Sequence, residues 1–318
     1  MLRQICNLIP THLVPKLARE TGVDRKARTF SPWSHLVSLI YAQLTHAIGL
    51  NDICDGLRLH SGPLVTLRGA TPPRRNNLSH ANKERDATLA ERIFWSVLDH
   101  LQTLQPGFAR GIRGKGVARR FRRIIHVVDS TTIQLVGSCM DWAKHRRRKA
   151  AAKCHLHLDL HSFLPRFAII DTARENDGKR SRELCAAIRA GEIVVFDKAY
   201  LDFAHLFDLL KRGVFWVTRA KENMAYQVVA TLPVPGGNIL RDELIVLSTP
   251  WWKLTDANRK WYFSPTNAVR WQMWTALLVY VLRSREGLPG CAAPHHGHPA
   301  VPCLCSWMAS QLYPEYSP

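Results

Sequence analysis

Residues 124–135 read IIHVVDSTTIQL, an aliphatic run free of Gly and Pro that carries one carboxylate, Asp129. Such a run reads as a buried strand of a layered sheet. A second run of the same kind, IVVF at 193–196, leads straight into Asp197. Between them, residues 153–161 (KCHLHLDLH) alternate strictly and set Leu156, Leu158 and Leu160 on one face. Residues 164–172 (LPRFAIIDT) supply a hairpin partner. Helices are predicted over about 181–190 and 202–211, and a last strand over 214–218. The order strand, hairpin, helix, strand, helix, strand predicts a mixed α/β layer architecture.

Outward from this core the pattern is different on each side. From Trp33 to Ala47, the apolar positions Trp33, Leu36, Val37, Ile40, Leu44 and Ala47 recur at helical spacing. Asn51 is a candidate cap for a short helix through Leu57. A long helix is expected from about Ser79, with a stripe of Leu89, Ile93, Phe94, Val97, Leu98 and Leu101, stopped at Gln105-Pro106-Gly107. Residues 236–248 suggest one strand of a β-rich element, and Asn267 to Leu282 is helical in period. The expected organisation is a helical unit over 1–105, an α/β core over 106–225, a β-rich remnant over 226–262, a helix over 263–284 and an irregular tail over 285–318. The tail holds Cys291, His295, His296, His298, Cys303 and Cys305, in a spacing that matches no common zinc module.

The chain has 318 residues, 46% of them apolar, which excludes a wholly disordered protein. Its net charge is +19, with a pI near 10.0. A chain this basic points to a polyanionic partner. Twelve Lys or Arg against two Asp fall between Arg110 and Lys149, a local excess of +10. Arg119, Arg120, Arg122, Arg123, Arg146, Arg147, Arg148 and Lys149 are the candidate phosphate-binding residues, the alternative being a solvated charged face. The eight cysteines are scattered rather than framed for disulfides. The first 20 residues lack an apolar signal core, and Trp271–Leu282 is too short to span a bilayer, so a cytoplasmic, nucleoid-associated protein is expected.

Asp129 and Asp197 are the candidate catalytic and metal-holding residues. Two carboxylates brought together at strand ends repel unless a cation lies between them, and hard oxygen ligands suit Mg²⁺ or Mn²⁺. Such ions activate a water or a 3′-hydroxyl in phosphoryl transfer. The plainer reading is that each Asp caps a turn after its strand. Ser130, Thr131 and Thr132 suit either phosphate or turn backbone. His155, His157, Asp159 and His161 share one face of their strand, and that alternation predicts a solvent face rather than a metal site.

The stretches FSPWSHLVSLIYAQLTHAIGLNDICDGL (30–57) and NNLSHANKERDA (76–87) resemble the N-terminal domain of bacterial insertion-sequence transposases of the insertion-sequence-four type. VVDSTTIQL (127–135), LPRFAIIDTARENDGKRSREL (164–184) and EIVVFDKAYLDFAHLFDLLKRGVFWVTRAKENM (192–224) resemble their catalytic domain. The resemblance runs from about residue 4 to residue 250. It implies a ribonuclease-H-like mixed-sheet core preceded by a small all-helical domain that binds DNA ends, with a DDE triad. Asp129 takes the place of the first aspartate, on the first core strand, and Asp197 that of the second, at the end of the fourth. It further implies Mg²⁺ (or Mn²⁺) dependence, recognition of the terminal inverted repeats of the element in double-stranded DNA, cut-and-paste chemistry, and a homo-oligomer on DNA.

The family's third carboxylate is a Glu in a Tyr-x2-Arg-x3-Glu-x6-Lys pattern on a late helix, and no tyrosine here begins that pattern. After Asp197 the glutamates are Glu222, Glu243, Glu286 and Glu315, none in a matching place. FSPTNAVRWQMWTALLVYVL (263–282) looks like the segment just beyond the catalytic helix. An internal deletion is the economical reading, and it predicts a catalytically impaired copy. The alternative is a non-catalytic DNA-binding remnant that occupies element ends or competes with intact transposase. A third reading recruits Asp171 or Glu222 as the missing ligand.

Overall fold

The computed structural model describes residues 1–25, 29–47, 49–109, 123–135, 144–146, 149–172, 177–221, 224–234, 241–247 and 267–286. The first part is helical: α1 (Leu2–Asn7), α2 (Leu13–Glu20), α3 (Pro32–Thr45), α4 (Leu50–Leu59), α5 (Ser61–Val65), α6 (Arg75–Glu84), α7 (Thr88–Leu104) and α8 (Pro106–Ala109). Helix α3 is the central one, and its start follows from its sequence. The Ser31 hydroxyl accepts from the Ser34 N–H at 3.0 Å, and Pro32 supplies a pre-set φ at the first helical position. Of the predicted stripe, Trp33, Leu36, Val37, Ile40 and Leu44 are buried, whereas Ala47 lies past the end of the helix and is partly buried.

Two of these helix boundaries differ from the sequence reading, and the later helix expected over about 181–190 spans Asp177–Leu184. Helix α4 is capped at Gly49, whose N–H donates to Asp52 at 2.9 Å, so Asn51 lies inside the helix. The long helix expected from Ser79 is two helices, α6 and α7, and Ser79 sits within the first. The break is local chemistry: the Asp86 carboxylate accepts the Thr88 N–H at 2.9 Å, a bond that competes with continuing the turn.

The remaining elements are β1 (Ile125–Leu135), β2 (Lys144–Arg146), β3 (Lys149–Asp159), β4 (Pro165–Thr172), α9 (Asp177–Leu184), β5 (Ile193–Phe196), α10 (Phe203–Lys211), β6 (Phe215–Thr218), β7 (Tyr226–Thr231), β8 (Glu243–Leu247) and α11 (Asn267–Glu286). The sheet runs β2-β3-β1-β5-β6, with β4 also paired to β3. Strands β1, β3 and β4 pair antiparallel, whereas β1, β5 and β6 pair parallel. This is the expected mixed sheet of a ribonuclease-H-like core, β2 being a short addition at its edge. Strands β7 and β8 form a separate antiparallel pair.

Strand β3 is covered on both faces. Ala152, Cys154, Leu156 and Leu158 join a hydrophobic cluster that continues through α11 into the N-terminal helices. On the other side of the sheet, Val128, Leu184, Val194, Phe196, Tyr200 and Leu209 form a second cluster. Trp271, Trp274, Leu277, Leu278 and Val281 of α11 are all buried, so that apolar stripe is core.

The histidine face of β3 is not a solvent face. His155, His157 and Asp159 are buried because β3 lies between β1 and β4 with packing on each side. Each has a polar partner from a neighbouring element or turn. His155 Nδ1 bonds the Tyr200 hydroxyl at 2.9 Å, and His157 bonds His126 at 2.8 Å, which in turn meets Glu192 at 3.1 Å. Asp159 accepts from Arg166 at 2.8 Å and from the His161 and Ser162 N–H groups.

Candidate active site

Strands β1 and β5 pair in parallel from Ile125↔Ile193 to Val128↔Phe196. Asp129 and Asp197 are each the next residue along, so the two acids stand side by side where the parallel pairing stops. Neighbouring strands lie about 5 Å apart, which brings the two backbones within reach of one shared ion. Val128 and Phe196 both face the second cluster. Asp197 keeps an extended backbone, φ −75° and ψ 159°, so alternation turns both acids toward the opposite side of the sheet. Asp129 does not end its strand. β1 continues six residues to Leu135, paired with β3 alone, and Ser130, Thr131 and Thr132 belong to it rather than to a turn.

The surroundings of the two acids differ. The Ser130 N–H donates to Asp129 Oδ1 at 2.8 Å. Asp197 accepts from Arg219 Nε at 3.0 Å and Nη2 at 2.6 Å, both on Oδ1. That guanidinium, aided by Lys198, holds the Asp197 carboxyl below the usual carboxylate range, against the opposing effect of burial. Arg219 follows β6 directly, and the register Phe196↔Thr218 sets it beside Asp197. Three successive strands, β1, β5 and β6, thus carry Asp, Asp and Arg at one end of the sheet. Sequence reasoning passed over Arg219. Its signal was present, since it follows FWVT as Asp197 follows IVVF.

Oxygen donors at adjacent strand ends suit a hard divalent cation. Among the described residues no group of three or more His, Cys, Asp or Glu converges to hold a metal. Asp171 is no third partner. It pairs across from Lys153 on β4, two strands from β1 and level with Thr132, and it is buried and ion-paired with Arg180. Glu222 lies outside the described residues, and so does the Cys/His cluster of the tail.

Of the candidate phosphate-binding residues, Arg119, Arg120, Arg122, Arg147 and Arg148 also lie outside the described residues. Arg146 of β2 and Lys149 of β3 are partners in the antiparallel β2–β3 register. Arg123 is exposed, stacks 4.2 Å over the Phe215 ring and donates to the Gly191 carbonyl at 2.9 Å.

Residues 1–67 match a domain of unknown function (DUF4372), and residues 120–282 match the family described as Transposase DDE domain. Residues 68–119 lie between these segments. "Putative transposase y4zB" of Sinorhizobium fredii is 33% identical over 123 residues, covering 39% of this chain and 34% of that protein. The transposase for insertion sequence element IS231D of Bacillus thuringiensis subsp. finitimus is 24% identical over 222 residues, 67% of this chain and 43% of that one. The chain thus spans well under half the length of these curated relatives. A solved piggyBac transposase synaptic complex with hairpin DNA overlays at a TM-score of 0.37 with 11% identity, over 98% of this chain and 74% of that one. With the DDE domain matched across both Asp129 and Asp197, this chain belongs to the Transposase DDE domain family.

Proposed function

We propose that the chain is a DNA transposase of an insertion sequence that binds the terminal inverted repeats of its element and is impaired in strand cleavage and transfer. The observation that carries this reading is the placement of Asp129 and Asp197 side by side at the ends of neighbouring parallel strands. Those two carboxylates would hold Mg²⁺ or Mn²⁺. Bound there, such an ion activates the attacking hydroxyl and stabilises the leaving oxygen in phosphoryl transfer. The chain's own part is to fix the two acids in one register and to neutralise Asp197 with Arg219. Arg119, Arg120, Arg122, Arg123 and the 146–149 cluster would hold backbone phosphates, with binding that weakens as salt rises. The protein works at the nucleoid in the cytoplasm, as a homo-oligomer on DNA. No helix among the described residues is long and apolar enough to cross a membrane.

A second reading, a DNA-binding remnant without catalysis, is favoured by one feature: Asp197 is already neutralised by Arg219, and no third acid joins the pair among the described residues. Purified protein with short duplexes carrying the element's ends separates the two. Cleavage that requires Mg²⁺ and vanishes in Asp129→Ala supports the enzyme. Salt-sensitive, metal-independent binding without cleavage supports the remnant, and absence of binding to any duplex defeats both.

A further inference from the structure

A lone two-stranded hairpin is marginal in water and gains stability from a further strand or a packed face. Strands β7 and β8 form such a pair, and among the described residues no other strand joins them. On β8, Leu244 is 57% exposed and Val246 54%. The main sheet has a matching open margin. Among the described residues β6 is its last strand, and there Phe215 and Val217 are 52% and 54% exposed. Natural edge strands are guarded by charge, proline or a bulge. At the opposite margin β2 reads Lys-His-Arg, whereas β6 reads Phe-Trp-Val-Thr and carries no such guard.

The backbone fixes how these two edges can meet. The Phe215 N–H donates to the Glu192 carbonyl at 2.9 Å, so Phe215 and Val217 turn their amides toward β5. By alternation Trp216 and Thr218 turn theirs to the open margin. The Leu232 N–H donates to the Asp242 carbonyl at 2.7 Å, and Ala230 faces Leu244. Asp242, Leu244 and Val246 therefore turn toward β7, and Glu243 and Ile245 turn outward. Antiparallel pairing that joins the outward groups sets Trp216 against Ile245 and Thr218 against Glu243. In that register Phe215 meets Val246, Val217 meets Leu244, and Arg219 meets Asp242. Exposed apolar residues then oppose one another, and the charged pair is of opposite sign. A slip of two residues sets Val217 against Asp242, or Arg219 against Leu244, and loses the match.

We propose that β8 of a second copy of this chain adds to the β6 edge in this register. The exchange is reciprocal about a two-fold axis, each hairpin extending the other copy's sheet. Charge complementarity supports this occupant: Lys211, Arg212, Arg219 and Lys221 flank β6, while Asp242 and Glu243 head β8. The chain's own hairpin does not serve. Within one chain β7 would run parallel to β6 with β8 between them, and the segment 219–225 that joins them is too short for a parallel crossover, which takes about a dozen residues or more. Asp242 of the second copy comes to lie beside Arg219, one strand from Asp197, and adds an acid to the margin of the active site. The proposal rests on the homo-oligomer of the reading above and needs no DNA.

Sedimentation of the full chain without DNA, over a concentration series, should show a reversible dimer. Val217→Lys and Val246→Lys should each weaken it at least about tenfold, with the circular-dichroism spectrum unchanged because both side chains face solvent. Two chains mixed and oxidised, one Val217→Cys and the other Leu244→Cys, should form a disulfide between the substituted positions, read by mass spectrometry. Opposed residues of this kind lie about 4.5 Å apart between Cα atoms, within disulfide reach. With both substitutions in one chain, the link should still form between chains. A monomer at every concentration, growth past the dimer, no link between these positions, a link within one chain, or a dimer indifferent to both lysines overturns the proposal. A dimer that forms only on DNA also overturns it, and leaves the transposase reading standing.

Discussion

Arg219 donates two hydrogen bonds to the same oxygen of Asp197, from the end of the next parallel strand. The carboxylate therefore has its counter-charge within the fold, and any divalent cation must share it or displace it. A cation facing a guanidinium a few ångströms away at a partly exposed site loses on the order of 1 kcal/mol or more.

Arg219→Ala should release Asp197. Its carboxyl should rise toward the ordinary value, and Mn²⁺ should bind about tenfold more tightly in a calorimetric titration, in keeping with the loss of one such charge contact. Asp197→Asn in the same background should abolish the gain. Equal Mn²⁺ affinity in wild type and Arg219→Ala would show that the ion pair does not govern the site.

Stability should fall on mild acidification. Burial pulls His35 to about 3 and both His157 and His205 to about 4. In the unfolded chain each takes a proton near 6.5. Between about pH 4 and 6.5 the unfolded state thus binds more protons than the folded one, so stability rises with pH through this window and is fully present above it. The slope should be on the order of 1 kcal/mol per pH unit for each histidine. Urea midpoints that stay flat from pH 4.5 to 7 would contradict this.

Asn82→Ala should destabilise the protein by about 1–3 kcal/mol, because it leaves the buried His35 Nε2 without its acceptor. His35→Phe alone leaves the buried Asn82 Oδ1 without its donor, and only the double variant removes both groups. In the double variant the loss should be smaller than the sum of the two single losses, as read from a urea double-mutant cycle.

Trp271→Ala should lose about 3–5 kcal/mol, the range for emptying a fully buried tryptophan site. The ring is 0% exposed and lies 4.6 Å from His35, and its Nε1 donates to the Arg85 carbonyl at 3.0 Å. Trp271→Phe keeps most of the bulk and should lose far less. A small loss for both would mean that the helix α11 contact is not part of the cooperative core.

Much of the fold is legible in the sequence alone. The strands around Asp129 and Asp197 are short apolar runs whose type is insensitive to context, and their order alone implied the sheet. The paired acids followed from their places, Asp129 within one such run and Asp197 just after the other. Two kinds of feature were hidden. The burial of His155, His157 and Asp159 depends on β3 being flanked on both sides, which alternation within a single strand cannot reveal. The split between α6 and α7 depends on one Asp86 side chain choosing a backbone N–H two residues on, a contest decided by local geometry rather than by period. Arg219 needed the register of β5 against β6, and register is a property of the assembled sheet.

The contact between Trp271 and Arg85 joins residues 186 positions apart. During synthesis, the helices that α11 will cover therefore leave the ribosome well before their cover exists. At about 5–20 residues per second the gap lasts roughly ten to forty seconds. Through that interval the nascent bundle presents the apolar seat of Trp271, Trp274 and Leu278 to other proteins in the cell. Any product that stops short of residue 267 keeps the seat open permanently and becomes a substrate for chaperones and proteases.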